Sequence, residues 1–432
     1  MHIAIANNYY YLRGGAERVL LEEKKILEAH GHQVSVFAQA HPRNEPSPYS
    51  DCFPPFKDWQ AARGPAKLAM AASIIYDRRA ARCFRRFLET ARPDIVHAHN
   101  IYGGLTTSIL DVAKEKRVPV VMTLHDYKLI CPSYLMLKRG AVCEDCKAGR
   151  FIRCLLNRCH KESLTASGVY CIESYLNRWR HKYDTVRYFI CPSMFSLQKH
   201  AEHGIPRERL LHIANFAAAG PEPRYGDGQY ALFVGRLSAE KGIVTLLAAA
   251  TGLNVPVRFV GDGPLAAELQ DFIEDSGMTH VTLEGYKSGF DLEQLYENAA
   301  FLVSPSGCYE NAPMNILEAY AHGKPVVGSH IGGIAEMVEH GRTGLRFAPG
   351  DADELAECMR LLWLDEPLRA RMGRAARDKV ERQYCPEAHY EQLMELYRNV
   401  LGRRQEQPGA PQLKTKRHAP QAELSTSARG VP

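Results

Sequence analysis

Short apolar runs alternate along the chain with longer stretches in which apolar residues recur every three or four positions. The short runs have the length of buried strands, and the longer stretches have the period of amphipathic helices. In the first half, the predicted strands cover residues 3–6, 33–37, 94–99, 119–124, 188–193 and 210–213. Because strands that alternate with helices form parallel sheets covered on both faces, this half is predicted to be a doubly wound α/β domain.

The same rhythm restarts in the second half, where the predicted strands cover residues 230–234, 257–260, 281–284, 301–303 and 326–328. The predicted fold class is therefore α/β, with two Rossmann-like domains that face each other across a cleft. The predicted segments are a first domain 1–216, a linker 217–228, a second domain 229–384, a C-terminal helix 385–402 and a disordered tail 403–432.

Length and composition fit this organisation. A chain of 432 residues is too long for one ordinary core, and its net charge of +5 is too mild to indicate nucleic acid as a partner. No apolar run approaches the roughly 18 residues of a membrane helix, and the N-terminus lacks the basic start of a secretory signal. We therefore expect a cytoplasmic protein.

The stretch from Tyr309 to Tyr320 follows a predicted strand and opens a predicted helix. Asn311 is a candidate N-cap and Pro313 suits the first turn, so the amides of residues 311–313 would form an anion-binding helix end. Glu318 lies further along the helix and could reach hydroxyls beside a phosphate, while Glu310 precedes the cap and can face another part of the same ligand. The alternative is a capped surface helix with solvated glutamates.

Two cations lie at a similar place earlier in the second half. Arg236 and Lys241 follow a predicted strand and precede a helix, which puts them at the edge where parallel sheets bind ligands. A guanidinium fork and an ammonium point charge suit a diphosphate; ordinary surface charge is the alternative. Further on, Gly261-Asp262-Gly263-Pro264-Leu265-Ala266 imitates a dinucleotide-binding fingerprint, although a tight strand-to-helix turn explains its glycines equally well.

In the first half, Gly14-Gly15 follows the first predicted strand and allows close approach of a ligand to the backbone, or simply makes a turn. His125 ends a buried strand on the same edge, where an imidazole can donate to a sugar hydroxyl or to developing charge. His97 and His99 occupy a similar position, and we interpret them as satisfied strand-end histidines.

Together these motifs resemble glycosyltransferase family 4, over roughly residues 1 to 400 and in the family's order. The resemblance rests on Gly14-Gly15-Ala16-Glu17, His125-Asp126, Pro192-Ser193, Gly235-Arg236, Glu240-Lys241-Gly242, Gly261-Asp262-Gly263, Glu310, Glu318-Ala319, Gly323, Pro325-Val326-Val327 and Gly332-Gly333. It implies a GT-B fold and a retaining transfer of sugar from a nucleotide-diphosphate donor, without a catalytic metal.

The resemblance also implies roles for individual residues. Arg236 and Lys241 would neutralise the diphosphate, Glu318 would hold the ribose hydroxyls, Glu310 would face the donor sugar, and His125 would touch that sugar from the first domain. Gly14-Gly15 would border the acceptor and the phosphate, and Gly235, Gly261 and the segment Asn311-Ala312-Pro313-Met314 would complete the nucleotide-sugar site. Many relatives carry a glycine and a bulky apolar residue where this chain has Asn311-Ala312-Pro313-Met314.

A cysteine-rich insertion, residues 131–171, adds a second candidate site. Cys143 and Cys146 form a C-x-x-C pair, and Cys154 and Cys159 follow within thirteen residues. Four such thiols could make a structural zinc site; free thiols or one redox-labile pair are the alternative. A similar insertion occurs in some members of the family, so it need not be catalytic.

The segment from Lys57 to Arg92 carries six more cationic than acidic side chains, interleaved with Trp59, Ile74, Phe84 and other apolar residues. Such a face could rest on an anionic membrane surface; a solvated helix with a core side is the alternative. The aromatic spacing does not suggest nucleic-acid stacking.

The function expected from the sequence is transfer of a sugar to a saccharide or lipid-linked saccharide, in the synthesis of a cell-surface polysaccharide such as capsule, exopolysaccharide or lipopolysaccharide. One alternative is a nicotinamide-dependent oxidoreductase built on residues 261–266. Another is a non-catalytic, zinc-stabilised interaction protein. Both alternatives leave the cations and carboxylates of the second half without a role.

Overall fold

The computed structural model describes residues 1–58, 64–220 and 222–402. The first half forms a parallel sheet with the order β2-β1-β3-β4-β7-β8 and a separate antiparallel hairpin, β5-β6. These strands are β1 His2–Ala6, β2 Gln33–Phe37, β3 Ile95–Ala98, β4 Val120–Thr123, β5 Leu137–Lys138, β6 Ala141–Val142, β7 Val186–Cys191 and β8 Leu210–His212.

The second half forms another parallel six-stranded sheet with the order β11-β10-β9-β12-β13-β14. Its strands are β9 Tyr230–Val234, β10 Val257–Val260, β11 Val281–Gly285, β12 Ala299–Ser304, β13 Val326–Ser329 and β14 Gly344–Phe347. The direction of strand addition reverses between β9 and β12, as it does between β1 and β3 in the first sheet. Parallel sheets bind ligands at such reversals.

Helices connect the strands. They are α1 Gly15–Ala29, α2 Gly64–Ile75, α3 Arg78–Ala91, α4 Ser108–Glu115, α5 Ile152–Leu156, α6 Leu164–Trp179, α7 Met194–Glu202, α8 Ile243–Thr251, α9 Ala266–Asp275, α10 Gly289–Glu297, α11 Met314–Ala321, α12 Gly332–Met337, α13 Ala352–Leu364, α14 Glu366–Gln383 and α15 Pro386–Gly402. The two doubly wound domains predicted from the periodicity are confirmed.

The central strands are buried along their whole length, which explains their continuous apolar sequences. The helices bury one stripe each. In α3, for example, Asp77 caps the helix by accepting from the backbone N–H groups of Arg79 and Ala80, and Phe84 and Phe87 pack in the first core. The capped helix ends and the buried apolar faces fix the helices on the sheets, and this positions the loops at the sheet edges.

The last helix returns to the first domain. Leu393, Met394 and Tyr397 of α15 pack in the first core, and the Tyr397 hydroxyl lies 2.8 Å from Nδ1 of His97. The chain therefore begins and ends in the same domain, which ties the two halves together by a second crossing.

Further polar contacts bridge the halves beside the cleft. Nδ2 of Asn311 donates to the carbonyl of Leu124 at 2.7 Å. The Glu336 carboxylate accepts from the backbone N–H groups of Met194 and Phe195 at 3.0 and 2.9 Å, at the start of α7. These contacts hold the two sheet edges face to face.

The membrane hypothesis requires that both the cationic and the apolar side chains of the basic segment 57–92 be exposed, and the structure meets this requirement only in part. Ile74 and Phe84 are buried in the protein, so the interpretation with a core side is correct for them. Arg78, Arg79 and Arg82 are exposed. Trp59 and the predicted tail 403–432 lie outside the described residues.

None of the helices in the described ranges combines the length and the apolar character that crossing a membrane requires.

Candidate active site

A cleft of about 950 Å³ lies between the two sheets, at both points where the strand order reverses. All of the sequence-predicted donor-site residues line it, namely Gly14, Gly15, His125, Gly235, Arg236, Lys241, Gly261, Glu310, Asn311, Ala312, Pro313, Met314 and Glu318. Residues far apart in the chain are thereby brought to one site.

Lys241 and Glu310 form an ion pair in this cleft. The Lys241 ammonium lies 2.6 Å from Oε1 of Glu310, and the Ser306 hydroxyl donates to the same oxygen at 2.8 Å. Burial alone would raise the pKa of the Glu310 carboxyl, but the Lys241 charge outweighs burial and lowers it. Burial would lower the pKa of Lys241, and the carboxylate raises it instead. Both groups are therefore charged at neutral pH.

Arg236 differs from its neighbour. Its side chain is exposed in the cleft, and within the described residues no hydrogen bond or ion pair engages its guanidinium. A free guanidinium beside a paired ammonium is a site that an anionic ligand can enter without first displacing the arginine from a protein carboxylate.

The loop before α11 departs from the expected cap. The helix begins at Met314 with Pro313 as its N-cap residue, and no side chain caps it. The prediction of Asn311 as the N-cap is wrong, because its side-chain amide is used to bridge to Leu124 in the other domain. The open end of α11 still faces the cleft, and Gly15 of the first domain lies close to the Met314 side chain.

Glu318 is neither solvated nor unpaired. The Tyr296 hydroxyl donates to its Oε2 at 2.7 Å, and Arg18 from α1 lies 2.9 Å from its Oε1 across the cleft. Sequence reasoning missed both partners. Arg18 follows Gly14-Gly15 by one helical turn, which was a usable signal, whereas nothing near Tyr296 in the sequence pointed to the site.

Two glycines let the loops of the second domain approach each other. Gly261 has a φ of 141°, and a Cβ atom there would overlap the carbonyl oxygen of Gly235. A Cβ atom on Gly333 would similarly overlap the carbonyl oxygen of Asn311. The glycines at 261 and 333 therefore serve contacts between loops of this site, and this favours the turn interpretation of the 261–266 motif.

His125 lies on the opposite wall. It is partly exposed at the end of β4, and its Nε2 is 2.8 Å from Nδ1 of His99. Burial, with a smaller contribution from His99, lowers the pKa of His125 to about 3. The imidazole is therefore neutral at physiological pH. His99 in turn lies 3.3 Å from the buried carboxylate of Glu23, so it is more than a satisfied strand-end histidine.

The cysteine-rich insertion forms part of the same wall through Tyr134 and Tyr170, and Lys128, just before the insertion, also lines the cleft. The Lys128 ammonium lies over the Tyr170 ring and 2.7 Å from the buried Glu173 carboxylate. Aromatic faces beside a hydrogen-bonding cation are suited to a sugar ring.

The cysteines are close together but do not converge. Cys146 and Cys154 are buried in one small cluster that Cys159 partly covers. Among the described residues, only Glu23, His97 and His99 bring three potential ligand atoms within 4.8 Å of one another; the sulfurs of Cys143, Cys146, Cys154 and Cys159 do not. Tetrahedral zinc would require a closer arrangement of the sulfurs, so the structural zinc site stays a prediction.

Two doubly wound domains that face each other across a cleft are the architecture of GT-B glycosyltransferases, and the resemblance of the fold to solved members is close. Over 93% of the chain, it superimposes on sucrose-phosphate synthase from Thermosynechococcus elongatus with a TM-score of 0.68 and 19% identity, and it covers that whole structure. It also superimposes on Anabaena Alr3699/HepE in complex with UDP and glucose with a TM-score of 0.62 and 20% identity, over 91% of this chain and 98% of that structure.

The chain belongs to glycosyltransferase family 4. Residues 13–217 match the model described as Glycosyltransferase Family 4, and residues 218–379 match the model described as Glycosyl transferases group 1. The resemblance expected from the motifs is thereby confirmed.

The relatives differ in what they act on. The chain is 26% identical to the sulfoquinovosyl transferase SQD2 of Arabidopsis thaliana, over 74% of this chain and 57% of that protein. It is 29% identical to glycogen synthase of Mycobacterium tuberculosis, over 74% of this chain and 72% of that protein. The chain thus spans less than two thirds of the first relative's length.

Proposed function

We propose that the protein transfers a glycosyl group from a nucleotide-diphosphate sugar to a saccharide or lipid-linked saccharide. One observation carries the proposal. A free guanidinium, an ion-paired ammonium, an open helix end and a carboxylate that already accepts hydrogen bonds line one continuous wall of the cleft. That set matches the successive parts of a nucleotide sugar: diphosphate, sugar and ribose.

The diphosphate would bind between Arg236, Lys241 and the start of α11. The first backbone N–H groups of a helix have no partner within the helix, and the helix dipole is positive there. The Lys241 ammonium has three donors, so it can keep Glu310 and still donate to a phosphate oxygen. As the glycosidic bond breaks, the leaving diphosphate gains charge, and fixed cations placed there lower the barrier.

The nucleoside end would bind at Glu318. Tyr296 holds one carboxylate oxygen, and the other faces Arg18, so the carboxylate is already oriented as an acceptor for vicinal hydroxyls. The donor sugar would then lie between Glu310 and His125, and the acceptor would approach along the first-domain wall that includes Lys128, Tyr134 and Tyr170.

The finer parts of the proposal follow the resemblance. We propose that the transfer retains the anomeric configuration and needs no metal ion for catalysis. In the cysteine-rich insertion, where the four sulfurs do not converge, we favour free thiols over a structural zinc, and metal analysis of the purified protein with and without chelator decides between them. We further propose a cytoplasmic enzyme of surface-polysaccharide synthesis, and the relative named O-antigen chain mannosyltransferase C, from Escherichia coli, supports the polysaccharide context. Peripheral membrane contact would rest on the exposed arginines of α3, and flotation with anionic and neutral vesicles would test it.

The central test is a thermal-shift screen against UDP-, GDP-, ADP- and dTDP-sugars, followed by an assay for release of the nucleoside diphosphate. A ligand that binds only the native state raises the melting temperature. We expect one nucleotide class to stabilise the protein and to be turned over in the presence of saccharide acceptors. If none of the four classes shifts the melting temperature at millimolar concentration, the donor assignment is wrong.

A further inference from the structure

A chain of buried polar groups leads from the interior of the first domain to the cleft. Glu23 of α1 and His99, just after β3, are fully buried, and His125 is at the cleft end. Oε2 of Glu23 lies 3.3 Å from Nε2 of His99, and Nδ1 of His99 lies 2.8 Å from Nε2 of His125. His389 of α15 approaches the other carboxylate oxygen of Glu23 at 3.1 Å.

The protons in this chain can be assigned from its fixed ends. Nδ1 of His389 is 2.8 Å from the carbonyl oxygen of Ala214, and because a carbonyl only accepts, this nitrogen carries a proton. Burial would raise the pKa of the Glu23 carboxyl, but the neighbouring His97 and His99, together with a hydrogen bond from His389, hold it well below its usual range. Glu23 is thus an ionised carboxylate that only accepts, so His389 must also donate from Nε2.

The other oxygen of Glu23 faces His99, the next group toward the cleft. Nε2 of His99 faces this oxygen at 3.3 Å, a charge contact rather than a directed hydrogen bond, and the negative charge favours the tautomer with its proton on that nitrogen. His389, which donates from both ring nitrogens, supplies the positive charge that balances Glu23, so we assign His99 a single proton; its Nδ1 is then a bare acceptor, and Nε2–H of His125 donates to it. A neutral imidazole has one proton, so Nδ1 of His125 is left as an acceptor. No hydrogen bond engages it within the described residues, and His125 is partly exposed at the cleft.

We propose that Glu23 and His99 are positioning residues that fix the tautomer of His125, so that His125 offers a hydrogen-bond acceptor at Nδ1 to a substrate hydroxyl. His125 therefore accepts from a hydroxyl, rather than donating to one as the sequence analysis expected. The proposal rests on the proposed function for the identity of that hydroxyl as part of a sugar. A buried carboxylate that fixes the tautomer of a catalytic imidazole is an established device in other enzymes.

His97 lies beside the series of groups that leads to His125 but is not part of it. It lies 3.5 Å from Glu23, but its Nδ1 is 2.8 Å from the Tyr397 hydroxyl and its Nε2 is 2.7 Å from the Thr123 hydroxyl. Both nitrogens therefore have partners outside the chain that leads to His125. Removing the Tyr397 hydroxyl disturbs a buried hydrogen bond of the same neighbourhood and leaves Glu23, His99 and His125 in place, which makes Tyr397→Phe a matched control.

The first experiment uses the unmodified protein and needs no substrate. Nitrogen-15 NMR of the histidine-labelled chain distinguishes protonated from bare ring nitrogens, and the His125→Gln spectrum identifies the His125 signals among the 18 histidines. We expect a protonated Nε2 and a bare Nδ1 at pH 7.5. A protonated Nδ1, or an imidazolium at that pH, overturns the proposal even if sugar transfer is established.

The second experiment reverses the direction of hydrogen-bond donation between Glu23, His99 and His125. In Glu23→Gln, the amide oxygen can keep the bond from His389, which turns the amide N–H₂ toward His99. His99 must then carry its proton on Nδ1 and donate to Nε2 of His125, so the His125 proton moves to Nδ1. We expect this tautomer change together with a fall of about fivefold in kcat, no larger than the loss from removing His125, and a donor KM within about twofold of the unmodified enzyme.

The control separates positioning from a merely structural role. Tyr397→Phe is expected to keep the His125 tautomer and to hold kcat within about twofold, although it loses a buried hydrogen bond. An unchanged His125 tautomer in Glu23→Gln contradicts the proposal. The correct tautomer in a protein that transfers no sugar would instead contradict the proposed function alone. If Glu23→Gln fails to fold, the spectrum of the unmodified protein still decides.

Discussion

The two sheets have nearly the same architecture and present the carboxyl ends of their strands to the same cleft, yet their edges carry different chemistry. After β12, the partly buried carboxyl of Glu310 has a cation beside it, and its pKa is lowered. After β4, burial raises the pKa of the Asp126 carboxyl to about 6, because Lys128 and its backbone N–H compensate only in part. His125, next to Asp126, is neutral.

The difference indicates a division of labour between the two walls. Fixed charge is costly to bury, so a fold maintains it only where paired groups and a charged ligand repay the desolvation. The wall of the second domain maintains charge and is suited to grip a diphosphate. The wall of the first domain disfavours charge on its strand-end groups His125 and Asp126 and is suited to orient hydroxyl groups. Mutations in the second-domain wall should therefore weaken binding and turnover of the nucleotide sugar, whereas mutations in the first-domain wall should lower kcat with little change in nucleotide affinity.

The largest effect is expected from Lys241→Ala. It removes a cation from the diphosphate site and leaves Glu310 as a partly buried charge without its ion-pair partner. We expect kcat/KM for the nucleotide sugar to fall by about 100-fold or more. Steady-state kinetics with the donor found in the ligand screen will measure it.

Arg258→Ala provides the control for that variant. It breaks an ion pair of the same domain, Arg258 with Glu284 at 3.1 Å, and neither residue lines the cleft. We expect kcat/KM to stay within about twofold, because the pair lies outside the cleft and ion pairs with access to solvent contribute little. Equal losses in the two variants would mean that charge in the second domain acts on stability and not on the ligand.

Glu318→Ala should weaken donor binding by about tenfold, since it removes the acceptor that Tyr296 and Arg18 orient. Calorimetric titration with the nucleoside diphosphate alone isolates this effect from chemistry. The exposed Glu293 of α10 supplies a control, Glu293→Ala, with unchanged affinity expected. Unaltered binding in Glu318→Ala would remove this residue from the nucleoside site.

The fold of both walls could be predicted from the sequence because it depends on local periodicity. Strand-end positions such as Arg236 and His125 were visible for the same reason. What could not be predicted were pairings between distant residues. The Asn311 side chain illustrates the difference: its local sequence favours a helix cap, but a hydrogen bond to Leu124, across the domain interface, prevails.

The packing of α15 against the first domain could likewise not be predicted from the sequence. Its amphipathic pattern predicts a helix but does not say which surface the helix covers. The contact of His389 with Glu23 joins residues at opposite ends of the chain. Such contacts depend on domain packing, which no pattern within one segment specifies.

His125→Ala tests the neutral wall. We expect kcat to fall by about five- to tenfold, because a group that orients the donor sugar is lost, and the affinity for the nucleoside diphosphate to stay within about twofold. Comparison of kcat with nucleotide titration separates the two quantities. An equal loss of nucleotide affinity would assign His125 to the charged site and would erase the contrast between the walls.

The smallest effect concerns Asp126, whose raised pKa is the counterpart of the lowered pKa of Glu310. The folded-state pKa of about 6 exceeds the usual 3.8, so the native state binds a proton more tightly than the unfolded chain does. Stability therefore falls as the pH rises from about 4 to about 6, and the loss persists above that range.

Asp126→Asn cannot ionise and can still accept the backbone N–H of Lys128, which donates to Oδ1 at 2.9 Å. We expect its melting temperature to exceed that of the unmodified protein by a few degrees at pH 7.5, and the gap to narrow steadily toward pH 4. A gap that stays constant or widens on acidification would show that Asp126 is ionised without cost, and that the first-domain wall holds charge as readily as the second.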